Sequence, residues 1–205
     1  VRAAVTKKAH ALVTSPGATR FYLSKDANAQ LQQIVRVTSG SALEWLPQET
    51  LFMRGARART VSRIELEDDA RFFGWETLGF GRPALGESCS QGEIEARFEI
   101  YRDGKPLLLD CFRVGDGRLE GLLGHAAVTT LVATGADEIA LEATRAVLEG
   151  SSESRMAATL IDDLLVVRGV AHRCEPLFKR CVEIWRCLRP LLLDRPASDP
   201  RIWLT

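Results

Sequence analysis

Three acidic residues stand in stretches of sequence that are otherwise apolar or aromatic. Glu44 and Glu76 each adjoin a tryptophan, and Asp110 ends the apolar run Pro106–Asp110. A carboxylate within an apolar strand is unfavourable unless it is paired, hydrogen-bonded or facing a wet cavity. Two interpretations therefore fit these residues: each pairs with an arginine or points to solvent, or they handle a metal ion. The candidate arginines are Arg71, Arg82 and Arg113.

The common catalytic motifs are absent from the sequence. It contains no G-x-S-x-G elbow, no H-E-x-x-H, no Walker loop and no Rossmann fingerprint. The three histidines, His10, His125 and His172, lie far apart along the chain, so no local spacing indicates a triad or a tight metal site. The sequence therefore indicates a protein that is not an enzyme.

The five cysteines show no C-x-x-C spacing. An odd number of cysteines argues against a disulfide framework and favours reduced thiols in a cytoplasmic protein. Cys174 and Cys181 are seven residues apart, which could place them on one helical face. Free cysteine is among the most often buried residue types, so packing in the core is favoured over metal binding.

Short apolar runs separated by turn residues fill the first two-thirds of the chain, and they predict β-strands. The predicted strands are Ala9–Thr14, Phe21–Ser24, Leu31–Thr38, Ala42–Leu46, Val61–Leu66 and Arg71–Phe80. Ile94–Tyr101 alternates apolar and polar residues, and Arg102–Lys105 supplies turn chemistry before Pro106–Val114. This pattern predicts a β-hairpin.

Helix signals appear later in the sequence. Asp137 can cap a helix that runs through Leu148, with Gly150 as a stop signal. A second helix is predicted from the apolar spacing that follows Pro176, and it is expected to end at Arg189-Pro190. Two further strands, Met156–Ile161 and Leu164–Val170, are predicted between these helices.

Composition narrows the class of protein. The chain has 205 residues, 46% hydrophobic and 26% charged, which suits one globular domain. Its 27 basic and 27 acidic side chains balance, so nothing points to nucleic acid or to an anionic membrane as a partner. Many strands at spacings of about ten residues predict a sandwich, a barrel or an irregular β-solenoid.

Two segments could face a partner. Arg82 lies in a loop with glycines at 79, 81 and 86, which fits either a tight irregular loop or a surface shaped for a partner. Trp203 lies between two other apolar residues at the C-terminal end of the sequence. We expect this segment to dock on the domain itself or on a partner.

Five blocks of the sequence, in this order and spacing, resemble the urease accessory protein UreD (UreH) family. The blocks are SPGATRFY from Ser15 to Tyr22, LEWLPQE from Leu43 to Glu49, GFGRPALGE from Gly79 to Glu87, WRCLRP from Trp185 to Pro190 and PRIWLT from Pro200 to Thr205. The resemblance covers nearly the whole chain. It implies one UreD-like domain over residues 1–205, with the family's N-terminal segment missing.

The resemblance implies a mainly β, irregular β-helical or solenoid-like single domain with about two helices near its C-terminal third. It also implies a cytoplasmic scaffold that links the accessory protein UreF and the GTPase UreG to apo-urease. The family is thought to pass Ni²⁺ through an interior tunnel, without a permanently bound cofactor. Glu76 and Asp110 match acidic positions of that path, and Thr19 matches a position that lines it. The alternative is a purely structural adaptor that remodels apo-urease without carrying nickel.

Overall fold

The structure is a computed structural model that describes residues 1–25, 27–87, 89, 91–115, 122, 124–150 and 152–204. It consists mostly of strands, with two α-helices late in the chain. The strands are β1 (Arg2–Val5), β2 (His10–Thr14), β3 (Thr19–Phe21), β4 (Ala29–Val37), β5 (Ala42–Leu46), β6 (Thr50–Phe52), β7 (Arg57–Leu66), β8 (Arg71–Phe80), β9 (Glu93–Arg102), β10 (Lys105–Val114), β11 (Ala127–Thr134), β12 (Ser154–Ile161) and β13 (Leu164–Ala171). The helices are α1 (Glu138–Leu148) and α2 (Cys174–Leu193).

The strands form two sheets that face each other. The first sheet has the order β1-β4-β7-β9-β10, and all its pairs are parallel except the β9–β10 hairpin. The second has the order β12-β13-β11-β8-β5-β2, with β8, β11, β13 and β12 pairing antiparallel in turn. Strand β8 pairs in parallel with β5 along its first half and with β6 along its end, and β3 extends β6.

Successive turns of the chain contribute one strand to each sheet: β1 then β2, β4 then β5, and β7 then β8. This stacking of parallel turns is a short β-solenoid, to which a hairpin and three antiparallel strands are added. The predicted fold class, mainly β and solenoid-like with two late helices, is confirmed.

Side-chain alternation on β8 defines three layers. Phe72, Leu78 and Phe80 point between the sheets, whereas Phe73 and Trp75 point toward the helices. The two helices cover that outer face of the second sheet and bury a continuous apolar cluster against it. Every strand at the centre of the second sheet is therefore buried on both faces.

The predicted hairpin is present as β9 and β10. Asp103 and Gly104 have φ values of 50° and 75°, which is the geometry that a two-residue type I′ turn requires. The predicted strands Ala42–Leu46 and Arg71–Phe80 have the bounds of β5 and β8. The strand predicted at Phe21–Ser24 is displaced, because β3 ends at Phe21 and Leu23 forms only an isolated bridge to Ala56.

Both helices begin as predicted, but the second ends later. The Asp137 side chain accepts a hydrogen bond from the Ala140 backbone N–H at 2.9 Å, which caps α1. Helix α2 continues through Pro190 to Leu193, so the predicted end at Arg189-Pro190 is wrong. Leu188 and Leu192 are both buried, and their packing outweighs the loss of one helical hydrogen bond at the proline. In the part of the chain that the structure describes, neither helix is long and apolar enough to cross a membrane.

Candidate functional site

A band of polar side chains interrupts the apolar core between the two sheets. We call it the polar seam, and it consists of Ser62, Glu76, Asp110, Thr130 and Arg168. On one side of it lies an apolar cluster that includes Phe72 and Val132, and on the other lies a second cluster that includes Phe80 and Val128. The seam therefore separates what would otherwise be one continuous core.

Strand register aligns the residues of the seam. In the second sheet, Thr130 on β11 is the partner of both Glu76 on β8 and Arg168 on β13. Asp110 reaches this row from β10 in the opposite sheet. The Thr130 Oγ1 hydroxyl donates to Asp110 Oδ2 at 2.8 Å, and Arg168 Nη2 lies 3.3 Å from Asp110 Oδ1. Asp110 is thus held by one hydroxyl and one partly exposed guanidinium.

Glu76 is in a different electrostatic state. Burial raises the pKa of its carboxyl to about 7, although a hydrogen bond with Ser62 opposes the shift and the nearby Asp110 charge adds to it. The Ser62 hydroxyl also lies 3.1 Å from Gln33 Oε1 and has only one proton to donate. When protonated, Glu76 can donate to Ser62, which then donates to Gln33. Near neutral pH, Glu76 is therefore poised between its two protonation states.

A cavity of about 480 Å³ runs along the seam between the two sheets. Glu76, Asp110, Thr130 and Arg168 line it together with apolar side chains from both neighbouring clusters. The space is large enough for several water molecules, and its walls carry the polar partners that waters need. The cavity therefore has both the room and the polar partners that water molecules need beside the two carboxylates.

The oxygen atoms of the seam could hold a divalent cation transiently. Two carboxylates and a hydroxyl are weak ligands for a borderline metal such as Ni²⁺, compared with imidazole or thiolate. Among the described residues, no group of three or more His, Cys, Asp and Glu side chains is arranged to hold a metal ion. The seam therefore offers oxygen donors that would bind such an ion weakly.

Comparison with known proteins gives the family. The family model described as "UreD urease accessory protein" matches residues 1–204. The chain belongs to the UreD family. It is 41% identical over 205 residues to a protein of Alcanivorax borkumensis named urease accessory protein UreD, covering 98% of this chain and 70% of that protein. Proteins of the same name from Pseudomonas entomophila (42% identity, 96% of this chain, 70% of the relative) and Enterobacter sp. (38%, 96%, 71%) are also similar.

Glu44 of this UreD family member does not join the seam, because it lies on the helix-facing side of the second sheet. Its fully buried carboxylate accepts from His10 Nε2 at 2.6 Å, Trp185 Nε1 at 2.5 Å and Arg189 Nε at 2.9 Å. Burial alone would raise the pKa of Glu44, but the bonds from Arg189, Trp185 and His10 hold it below its usual range. His10 Nδ1 accepts from Arg195, so Nε2 carries the proton that binds Glu44.

The interpretation that each acidic residue pairs with an arginine holds for Glu44 and Asp110, with partners other than the candidates, and not for Glu76, which has no ion pair among the described residues. Glu44 pairs with Arg189 and Asp110 with Arg168, neither of which was a candidate. The arginines that were candidates are engaged elsewhere. Arg71 donates to the Leu192 carbonyl, Arg82 pairs with Glu87, and Arg113 pairs with Glu95.

Thr19 lies apart from the two acidic residues of the predicted path. It is an exposed residue of β3, and its backbone N–H donates to the Glu49 carbonyl at 3.0 Å. Through β6 its strand is linked to the end of β8, where Thr50 pairs with both Thr19 and Leu78. The structure thus brings Glu76 and Asp110 together at the cavity but leaves Thr19 outside its lining.

Arg82 lies at the start of a short 3₁₀ turn, Pro83–Leu85. Its guanidinium forms two hydrogen bonds of 2.7 Å with the Glu87 carboxylate, and the backbones of the two residues also pair. Leu85, at the tip, is 67% exposed. The glycine-rich segment is therefore a closed loop that presents an apolar side chain to the outside.

Trp203 packs on the domain itself. Its ring contacts Trp75, Phe178 and Trp185, with ring centres 5.5–6.2 Å apart, and its Nε1 donates to Thr14 Oγ1 at 3.0 Å. The sequence left open whether this segment docks on the domain itself or on a partner, and in the structure the tryptophan packs on the domain. The residue is only partly buried, so part of its surface remains exposed.

The cysteines of α2 also serve packing. Cys181 is fully buried, and burial raises the pKa of its thiol to about 12, as it does for Cys174. A thiol held protonated in this way is a poor metal ligand. The expectation that these two residues pack in the core is confirmed for Cys181, whereas Cys174 is half-buried.

Thr130 and Arg168 were missed at the level of sequence. Thr130 belongs to β11, a strand that was not predicted, and Arg168 interrupts a predicted apolar strand. The alternation of Val128, Thr130 and Val132 is a signal that could have revealed a polar residue on a buried face.

Proposed function

We propose that this protein acts in urease maturation and conducts Ni²⁺ along the polar seam toward apo-urease. Ni²⁺ is then a transient cargo, and no cofactor stays bound. Membership in the UreD family supports the role in urease maturation. The relatives are named accessory proteins, which supports a non-catalytic role, and a cytoplasmic location is part of the same proposal.

The observation that carries the proposal is the placement of Glu76 and Asp110 on one cavity inside the domain. An unpaired carboxylate costs several kcal/mol, by order of magnitude, when it is fully buried, and less at a partly buried position such as Glu76. Within the described residues, Glu76 has no arginine or lysine within ion-pair distance, and its raised pKa reflects that. Such an unfavourable group needs a reason to be retained, and passage of a cation supplies one.

The chemistry of the seam fits delivery rather than storage. A cation leaving one carboxylate can be taken up by the other, with Thr130 as a further oxygen donor. Arg168 neutralises Asp110 in the resting state, but its side chain is 59% exposed and can swing into solvent when a cation arrives. The cation would then replace the guanidinium as the counter-charge.

The partners belong to the same proposal. We propose that UreF and the GTPase UreG bind on one side of the passage and apo-urease on the other. Arg82 and Trp203 are the proposed partner-contact residues, through the exposed loop and the exposed part of the tryptophan. Thr19 is proposed to line the outer part of the path, at the exposed end of the second sheet.

A structural adaptor that remodels apo-urease without carrying nickel is the second candidate. One observation favours it: Asp110 already accepts from Thr130 and Arg168, as a carboxylate with a structural role would. If that role were its whole purpose, replacing the seam carboxylates would affect folding but not nickel transfer.

The decisive experiment measures urease activity and urease-bound nickel in cells that lack their own copy of the gene. They receive either the wild type or the double variant Glu76→Gln plus Asp110→Asn. A matched control, Glu142→Gln plus Asp162→Asn, removes two exposed carboxylates and leaves the seam intact. Pull-down of UreF, UreG and urease from the same cells reports partner binding.

Conduction predicts that the seam variant loses nickel loading at least tenfold while its partner binding stays intact. The control should behave like the wild type. If the seam variant loads urease normally, conduction through these carboxylates is wrong and the adaptor becomes the better account.

A further inference from the structure

His125 and His172, far apart in sequence, meet at one end of the second sheet. Their ring centres are 4.7 Å apart and the ring planes are inclined by 50°. An imidazole bound through nitrogen at about 2 Å places its ring centre roughly 3 Å from the ion, so two rings on adjacent coordination positions have centres about 4.5 Å apart. The observed separation matches that spacing.

Backbone pairing in the second sheet holds His125 and His172 next to each other. The Ala126 N–H donates to the Ala171 carbonyl at 3.1 Å, which joins the segments that carry the two histidines. His125 precedes β11 and His172 follows β13, the two paired strands of the second sheet. The pair is therefore built by the sheet rather than by a chance contact of surface side chains.

One ring nitrogen of the pair has no partner among the residues that the structure describes. His125 Nδ1 is buried and makes no hydrogen bond to any residue that the structure describes. An uncharged imidazole with a free lone pair is the form that binds transition metals.

The pair also adjoins the cavity of the polar seam. The His125 N–H donates to the carbonyl of Leu122 at 2.8 Å, and Leu122 lines the cavity. Val170, two residues before His172, lines it as well, and so does Arg155. The two imidazoles thus stand just beyond the wall that encloses Glu76 and Asp110.

We propose that His125 and His172 together bind a divalent transition-metal ion at the end of the cavity, as a station before or after the carboxylates. The identity of the ion as Ni²⁺ rests on the proposed function. Two imidazoles with water in the remaining positions bind such an ion more firmly than carboxylates and less firmly than a site with three or four protein ligands. The pair would raise the local Ni²⁺ concentration beside the passage and still release the ion.

The presence of only three histidines allows a direct test. Imidazole signals of the purified, ¹⁵N-labelled protein are followed by NMR while NiCl₂ is added in small steps, because bound Ni²⁺ is paramagnetic and broadens the signals of its ligands. The single variants His125→Gln and His172→Gln assign two signals, and the third is His10. His10 is the internal control, since both of its nitrogens are engaged by Glu44 and Arg195.

We expect the His125 and His172 signals to lose more than half of their intensity at roughly 0.2 equivalents of Ni²⁺. The His10 signal should keep most of its intensity. The double variant His125→Gln plus His172→Gln should then bind Ni²⁺ at least tenfold more weakly in calorimetry, with an unchanged far-ultraviolet spectrum. Broadening of all three signals in parallel, or unchanged affinity in the double variant, would overturn the proposal.

The seam variant Glu76→Gln plus Asp110→Asn separates this inference from the proposed function. Selective broadening of His125 and His172 should persist in that variant, because the histidines do not depend on the carboxylates. If broadening persists but the seam variant still loads urease, the histidine station stands and conduction through the seam fails. If the histidine signals do not broaden while the seam variant blocks urease loading, conduction through the seam stands and the histidine station fails.

Discussion

Glu44 and Glu76 occupy opposite faces of the same sheet and show two ways in which this protein keeps a carboxylate inside. Glu44 faces α2 and is surrounded by donors from three residues, including the guanidinium of Arg189. Glu76 faces the other sheet, borders a cavity, has a hydrogen bond with the Ser62 hydroxyl and lies near enough to Asp110 to sense its charge. The pKa of the first is lowered and that of the second is raised to about 7.

The opposite pKa shifts of Glu44 and Glu76 follow from their different hydrogen-bond and charge partners. Glu44 ties the C-terminal helix to the sheet, and every lone pair it offers is already in use. Glu76 retains free acceptor capacity in a space that water and small ions can reach. Glu44 is fully buried and Glu76 partly buried, and the number and charge of their partners decide in which direction each pKa moves.

The largest effect is expected from Glu44→Gln. It leaves the Arg189 guanidinium beside Trp185 without its counter-charge, so we expect a loss of about 3–5 kcal/mol in the free energy of unfolding. Urea unfolding followed by tryptophan fluorescence measures it. Glu183→Gln, an exposed acidic position on the same helix, is the matched control. A loss under about 1 kcal/mol would show that Glu44 is not the structural member of the comparison.

Trp203→Ala should come next. The ring packs on three aromatic side chains, and since it is only partly buried we expect a loss of about 2 kcal/mol. Thermal unfolding and pull-down of UreF and urease should be measured together. Reduced stability with normal binding would assign the residue to the fold. Lost binding at unchanged stability would assign it to a partner.

Glu76→Gln should raise the free energy of unfolding, in contrast to the two variants above, and the size of the gain should depend on pH. Because the folded-state pKa is raised, the native protein holds its proton longer than the unfolded chain, so stability falls as pH rises from about 4.5 through about 7. The glutamine variant escapes this penalty. We expect it to be more stable than the wild type by about 2 kcal/mol at pH 8, with the difference vanishing toward pH 4.5.

Urea unfolding at pH 5 and pH 8 tests the sign, with Glu142→Gln as the control that lacks a buried carboxyl. A difference between variant and wild type that is equal at both values would mean that Glu76 is not held near neutrality. The contrast with Glu44 would then disappear.

Arg82→Ala should have the smallest effect on stability. Its ion pair with Glu87 is exposed, and solvent-exposed ion pairs contribute little to stability. Urease loading and UreF binding are the informative measurements, with Arg145→Ala as a control that breaks another exposed pair. A drop in either with stability unchanged would support a partner surface at this loop. Normal loading and binding would leave Arg82 as a local structural residue.

Local structure could be predicted wherever neighbouring residues determine it. The β9–β10 hairpin follows from alternation and an Asp-Gly turn, and the start of α1 follows from the Asp137 cap. Glu44, Glu76 and Asp110 were singled out because an acidic residue in an apolar run is costly in any fold, whereas the path role expected for the last two came from the family resemblance. These features depend on a few residues that are close together along the chain.

The rest depends on contacts that sequence spacing does not reveal. Glu44 meets Arg189, 145 positions away, and no local pattern distinguishes that arginine from the three candidates. Asp110 meets Thr130 through a strand that was not predicted. The His125–His172 pair arises only from the antiparallel pairing of β11 with β13. The end of α2 was misjudged because the packing of Leu192 outweighs a proline.

The hairpin has a consequence for the order of folding. In the parallel part of the first sheet, Arg2 pairs with Ile34, Ala29 with Ala58 and Arg57 with Glu93, so each pairing closes a loop of about thirty residues or more. The β9–β10 turn closes almost none, and hairpins form within microseconds. We expect this hairpin to form first and to template β7, then β4, then β1, so that the solenoid grows toward the N-terminal end of the chain.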